Sequence, residues 1–249
     1  MKKILVTLFA GCAILLTSCL ETTQEITLND DGSGTYVNTS DMGKILTIAK
    51  NMGAASSDKM PQAIDTSISF ASTTDSIPDL SAADKELLKK GSLQIKMSVE
   101  DEKFISIMSF PFSTLDDIQK INRLSGKMMM QSMKDKMPAE MPMGADAMPE
   151  PSSFDDYYTL EFSKGELKKK LNKEKYANAE KDDFLNGLKQ AGAMGIPVTS
   201  TYIINLPRPA EKAEGKNVKL SEDKMKVTVS STMDDFFDNP EKLEFKIKY

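Results

Sequence analysis

"SLQIKMSVEDEKFISIMSFPF", residues 92–112, decides the fold. Leu93, Ile95, Met97 and Val99 recur at every second position, the period of a strand with one face in an apolar interior. "EDE" interrupts the pattern, and a second apolar run begins at Phe104 or Ile105 and reaches Phe112. Two such runs joined by a short polar link make an antiparallel hairpin. On its upstream side "SAADKELLKKG" (81–91) predicts a compact helix, capped by Ser81 and stopped by Gly91. On its downstream side Ser113 or Thr114 caps a longer helix, "LDDIQKINRLSGKMMMQSMKDKM". That helix turns Leu115, Ile118, Ile121, Met128 and Met129 inward.

The same pattern extends toward both ends. "QEITLN" (24–29) and "TYVN" (35–38) are strands around "NDDGSG". "NDDGSG" itself reads as a turn, because Asp and Gly supply the positive-φ positions that a tight hairpin needs. A calcium loop is the competing reading, but with Gly32 or Gly34 at the sixth position Asn38 or Ser40 takes part where a bidentate Glu is required. "TSDMGKILTIAKNM" (39–52) predicts a helix capped by Ser40 or Asp41, with Met42, Ile45, Ile48, Ala49 and Met52 on one stripe. After a Gly/Ser-rich stretch, "DTSISFAS" (65–72) is a strand.

Residues 137–153, "MPAEMPMGADAMPEPSS", have no periodicity and four prolines, and read as a Met/Pro-rich flexible loop. "FDDYYTLEF" (154–162) is a strand, followed by a Lys-rich stretch from about 164 to 191 that reads as helix with a weak point near Asn172. The last fifty residues are strand-rich: "PVTSTYIINLP" (197–207) with Val198, Tyr202 and Ile204 on one face, then "NVKLSEDKMKVTVSS" (217–231), a hairpin across "SEDK". "TMDDFFDNPEKLEFKIKY" closes the chain with one helical turn and a strand carrying Leu243, Phe245 and Ile247. Eight or nine strands and four or five helices out of strict βαβ order predict an α+β fold. Its sheet is mostly antiparallel, built of hairpins with flanking helices, and follows an N-terminal lipoprotein signal peptide.

That signal is read from residues 1–18: Lys2 and Lys3, an apolar run from Ile4 to Leu16, and "LTSC". A run of about a dozen apolar residues is a signal-peptide core and too short for a membrane span. "LTSC" resembles the bacterial lipobox, which implies cleavage before Cys19, a diacylglycerol on its sulfur and an acyl chain, such as palmitate, on its amine. Cys12 is the competing site, but choosing it shortens the apolar run too far. Residues 19–249 then form one extracytoplasmic domain, tethered to the membrane by the covalent lipid on Cys19 with no other cofactor. Leu20 in place of Asp after the Cys implies, by analogy with enterobacterial sorting, the outer membrane. The body then faces the periplasm or the cell surface.

"EITLNDDGSGTY" (25–36), "YIINLP" (202–207) and the closing "LSEDKMKVTVSSTMDDFFDNPEKLEFKIKY" (220–249) resemble an envelope lipoprotein family of Bacteroidota, and more distantly the LppM-type membrane-anchored module. The resemblance covers the two ends and not the middle third. It implies an extracytoplasmic α+β module with an apolar groove and no established enzymatic activity.

Composition narrows the chemistry further. The sequence has no His, and its two Cys are spent on the signal and the lipid, which removes His-based acid–base work, thiolate catalysis and most transition-metal sites. The 30 basic against 37 acidic residues that remain after cleavage give a net charge of −7, unsuited to nucleic acid. The acidic doublets Asp30/Asp31, Asp116/Asp117, Asp155/Asp156, Asp182/Asp183 and Asp234/Asp235 read as caps and solvated turns, since neighbours in sequence do not converge on one substrate atom. The lysines of "KGELKKKLNKEK" (164–175) read as a solvated helix face, with anionic headgroups as the alternative contact.

The expected function is a non-enzymatic binding or assembly module of the bacterial envelope, for an apolar ligand or an envelope protein. Tyr157, Tyr158, Phe162, Tyr202, Phe236, Phe237 and Phe245 are its core, or in part a pocket lining. The alternative is Cu(I) or Ag(I) binding by thioethers among Met128, Met129, Met133, Met137, Met141 and Met143. Against it, Met128 and Met129 also fall on a helical core stripe.

Overall fold

The computed structural model describes residues 20–44, 46–47, 62–72, 74–77, 80–136, 152–163, 165–193 and 197–249. The signal peptide, Cys19 and residues 137–151 of the Met/Pro-rich loop lie outside them.

The described chain is α+β, with two sheets and five α-helices. Twelve strands form among the described residues: β1 Leu20–Leu28, β2 Gly34–Asp41, β3 Ala63–Ser69, β4 Ser92–Ser98, β5 Lys103–Phe112, β6 Tyr158–Ser163, β7 Glu166–Leu171, β8 Val198–Asn205, β9 Lys212–Glu214, β10 Val218–Leu220, β11 Lys226–Thr232 and β12 Phe245–Lys248. The helices are α1 Ala82–Leu88, α2 Leu115–Lys136, α3 Lys173–Tyr176, α4 Asp183–Ala193 and α5 Met233–Asp238. An eight-stranded sheet runs β10-β11-β8-β1-β2-β5-β4-β3, and a four-stranded sheet runs β6-β7-β12-β9.

The expected hairpins are present. β4 and β5 pair antiparallel from Ser92↔Ser109 to Ser98↔Lys103. β1 and β2 pair from Glu21↔Asp41 to Leu28↔Gly34, with "NDDGSG" as their turn. In that turn Asn29 N–H donates to Ser33 O at 2.8 Å. The Asp31 carboxylate accepts from Ser33 N at 3.0 Å and Ser33 Oγ at 2.6 Å, which holds its pKa below the usual range. Gly32 has φ +86°, the conformation that disfavours a side chain. The β1–β2 register and the Asn29–Ser33 backbone bond make this stretch the turn of the first hairpin. The helix expected over 39–52 starts after Asp41, whose Oδ1 accepts from Gly43 N at 2.9 Å. Gly43, Lys44, Leu46 and Thr47 are helical, and 48–52 lie outside the described residues. Leu46 is buried and packs on Met97 and Val99; of the expected stripe Met42 is half-buried, and Ile45, Ile48, Ala49 and Met52 lie outside the described residues.

Two features depart from expectation. β1 has a second partner: it runs parallel to β8, from Leu20↔Val198 to Thr27↔Asn205. This parallel pair joins the two ends of the chain and leaves β1 flanked on both edges. The second departure is the Lys-rich stretch, which is not a helix from 164 to 191. Gly165 takes φ +78° and turns β6 into β7, so that "ELKKKL" is a strand. Helix resumes only in the four residues of α3 and in α4. The physical reason is alternation: Leu167 and Lys169 are buried while Lys170 is exposed, a period of two that lysine's helix propensity masks.

The main core lies between the two sheets and α2. Ile26, Tyr36, Phe110, Tyr202, Ile204 and Val227 face inward from the large sheet, and Leu167, Phe245 and Ile247 from the small one. Leu115, Ile118, Ile121 and Met128 enter from α2 on its predicted stripe, joined by Leu124, which the stripe did not include. A second cluster fills one end, with Phe236 fully buried and stacked on Phe154 at 4.7 Å between centroids. Leu20 and Leu171 both pack against it.

Candidate functional site

Two features stand out once apolar packing is accounted for: a sealed polar network between the sheets, and an open cleft lined by lysines.

The network centres on Asp155 and Lys169. Lys169 Nζ donates to Asp155 Oδ1 at 2.7 Å, and the two side chains are 3% and 10% exposed. The Lys169 ammonium also sits over the Tyr202 ring, 3.9 Å from its centroid, and 4.7 Å from that of Tyr158. Such cation–π contacts replace part of the hydration that burial removes. Gln24 Nε2 donates to Asp155 Oδ2 at 2.6 Å. The Tyr36 hydroxyl lies 2.8 Å from both Gln24 Oε1 and Asn122 Oδ1 and shares its one proton between them.

The strands explain the convergence. Gln24 and Tyr202 are register partners on the inner face of the large sheet, and Lys169 projects from β7 of the small one. Asp155 comes from the short turn before β6, whose second acid caps that turn: Asp156 Oδ2 accepts from Ser153 N at 2.8 Å. The doublet is therefore split. Asp156 is the cap that the sequence suggests, whereas Asp155 is a buried ion-pair partner and not a solvated turn residue. Burial pushes the Asp155 pKa up, but Lys169 and the donors from Tyr202 and Gln24 outweigh it and hold it below the usual carboxylate range. Burial lowers the Lys169 pKa, opposed by the same carboxylate. Burial also raises Tyr36 and Tyr202 well above the ordinary phenol value.

A lysine of lowered pKa beside a carboxylate is chemically competent, but these groups are enclosed. With every polar end directed at another member, the network bolts the small sheet to the large one. The other doublets match expectation. Asp117 Oδ2 accepts from Ser113 and Thr114 N–H ahead of α2, Asp182 caps α4 through Leu185 N, and Asp235 shares a capping box with Thr232. Asp30 pairs with Arg208 at 2.9 Å at the first hairpin's tip.

The cleft lies on the opposite face of β7 and has a volume of about 730 Å³. Lys168, Lys170, Lys173, Lys216 and Lys246 line it, with Glu214, Glu241 and Glu244. Lys169 contributes only its strand to this wall, since its side chain is buried beneath. The lysines are thus a strand face, not a helix face, and they meet at a concavity that composition does not reveal.

Of the expected aromatics, Tyr158, Tyr202, Phe236 and Phe245 are buried core, and Tyr157, Phe162 and Phe237 pack on that core. Met128 is 9% exposed and packs in the main core. The side chains of Met129 and Met133, and all of Met137, Met141 and Met143, lie outside the described residues, as does the lipidation residue Cys19. None of the described helices is long and apolar enough to cross a membrane.

No family model matches the chain, and no curated protein matches it. Among solved structures the chain is similar to the folded domain of LppM from Mycobacterium tuberculosis, solved by NMR. The identity is 9% and the TM-score 0.39, over 96% of this chain and 94% of that one. A likeness at that level carries no argument about function, and nothing in these comparisons points to a Bacteroidota family.

Proposed function

We propose that this chain is a membrane-anchored lipoprotein of the bacterial envelope that works as a non-enzymatic binding or assembly module. The observation that carries the reading is the junction at residue 20. "LTSC" ends at Cys19, and β1 begins at Leu20, whose N–H already donates to Pro197 O at 3.1 Å. A lipid on Cys19 leaves no linker between bilayer and domain. β1 is flanked by β2 and β8, so the pull of the anchor enters the middle of the large sheet rather than a frayed end. Two or three acyl chains give stable anchoring, each buried CH₂ contributing about 0.8 kcal/mol.

The non-enzymatic reading rests on the Asp155–Lys169 network, whose groups of useful chemistry are spent on one another and closed to substrate. Of the two kinds of partner expected, an envelope protein suits the surface better than an apolar ligand. The space between the sheets is filled by side chains, and the cleft is lined by lysines.

The test is fractionation of cells making the native chain or Cys19→Ser. The native chain partitions into the membrane detergent phase, and the variant loses its lipid-dependent mass. A native chain recovered unacylated in the aqueous phase would overturn the reading.

A further inference from the structure

We propose that the cleft over the small sheet is a binding site for a phosphorylated anion, held by Lys168, Lys170, Lys173 and Lys216. The proposal stands on charge and register within a concavity and does not depend on the anchor.

The charge balance of the cleft is the first ground. Five lysines face three glutamates in a chain whose overall charge is −5. Two of those glutamates are already engaged: Glu214 with Lys212 at 2.5 Å, and Glu244 with the Leu171 N–H at 2.9 Å. Among the lysines, Lys246 is paired with Glu166 at 3.0 Å. Lys168, Lys170, Lys173 and Lys216 have no ion pair among the described residues. An acidic protein that gathers unpaired ammonium groups in one cleft creates a local positive potential, focused by the low-dielectric walls around it.

The register is the second ground. Lys168 on β7 stands directly opposite Lys246 on β12, and both point away from the core. Like charges directly opposite are destabilising. Glu161 lies across from Lys168 on β6, and Glu214 across from Lys246 on β9, so the row reads Glu-Lys-Lys-Glu with the repulsion at its centre. An anion seated against Lys168 relieves it. A phosphate fits the chemistry: ammonium groups are point-charge phosphate binders, and several around one concavity bind a multiply charged group better than a carboxylate. The Lys-rich strand runs to Leu171, which packs in the same cluster as Leu20, so the cleft reaches the end of the domain nearest Cys19. A phosphorylated lipid headgroup and a soluble phosphate ester therefore share the required chemistry.

The test uses the full chain in nonionic micelles, followed by backbone amide NMR shifts of β7 and β12. One arm titrates sn-glycerol 1-phosphate, and the other dopes the micelles with phosphatidylglycerol or, as control, phosphatidylcholine. Saturable shifts in the first arm assign a soluble phosphate ester. Shifts with phosphatidylglycerol alone assign a lipid headgroup. Lys168→Gln and Lys170→Gln each weaken binding about fivefold, and raised salt weakens it further, whereas Lys219→Gln on β10 leaves it unchanged. Without probe, Lys168→Gln melts no lower than the native chain, because the Lys168–Lys246 repulsion is gone. No saturable shift in either arm, or equal loss with Lys219→Gln, overturns the proposal.

Discussion

Replacing Lys169 with Met removes the only buried ammonium among the described residues and leaves Asp155 with no counter-charge at 2.7 Å. Breaking a buried ion pair from one side costs about 3–5 kcal/mol, because the remaining charge is desolvated and unmatched. For a domain of this size each kcal/mol lowers Tm by about 2–4 °C, so the variant should melt on the order of 6–20 °C below the native chain at pH 7. The loss has a pH signature. In the native chain Asp155 titrates below its unfolded value, so its contribution is present above about pH 4 and lost as pH falls through the folded pKa. In Lys169→Met the only partners left are neutral donors and burial raises the carboxyl pKa, so that variant regains stability relative to native as pH falls and Asp155 protonates. Lys169→Met with Asp155→Leu removes both charges and recovers most of the loss, since an apolar pair of similar volume is often neutral or better. Urea unfolding at pH 7 and pH 5, followed by circular dichroism, reads the native chain and both variants. A loss below about 1 kcal/mol in Lys169→Met, the range of an exposed pair, would refute the enclosed network.

Three further outcomes follow from the same structure. All six tyrosines have raised pKa values, chiefly through burial, so tyrosinate absorbance at 295 nm should lag beyond pH 10 and appear together with unfolding. The sign is that neutral phenol is favoured in the fold, so stability falls as pH rises above about 10. Half the absorbance change with native circular dichroism would contradict it. Gly32→Ala places a Cβ 2.5 Å from Phe162 Cε1 at φ +86°, and should lower stability by about 1–3 kcal/mol in urea unfolding. Phe236→Ala empties the centre of the end cluster and should cost about 3–5 kcal/mol by the same measurement.

The hairpins were legible because a strand with one buried face writes its period into local sequence, as Leu93 to Val99 and Val227 to Val229 show. The caps were legible for the same reason: Ser81 accepts from Asp84 N at 3.1 Å, three residues away. What could not be read depends on distant partners. β1 pairs with β8 across 180 residues, as the Asn205 side chain donating to Glu25 marks. Lysine is a good helix former and normally solvated, so "ELKKKL" resembles a helical face until Asp155 supplies the charge that lets Lys169 be buried. Asp155 was hidden by its neighbour, because a doublet ahead of a turn looks like a cap and only one of the pair needs to be one. The cleft was invisible for a related reason: Lys216 and Lys246 join the β7 lysines only through the pairing of β12 with β7 and β9. Positive-φ glycines at 32 and 165 are the local signals that mark both turns.

The central claim is that Cys19 carries the lipid that places β1 at the membrane surface. The most direct test is the mass of the N-terminal peptide of the mature chain, released by protease from bacterial membranes. A chain anchored as proposed yields a peptide beginning at Cys19 with a diacylglyceryl thioether and an N-acyl group. A mature chain beginning at any other residue, or at Cys19 with a free thiol, would contradict it.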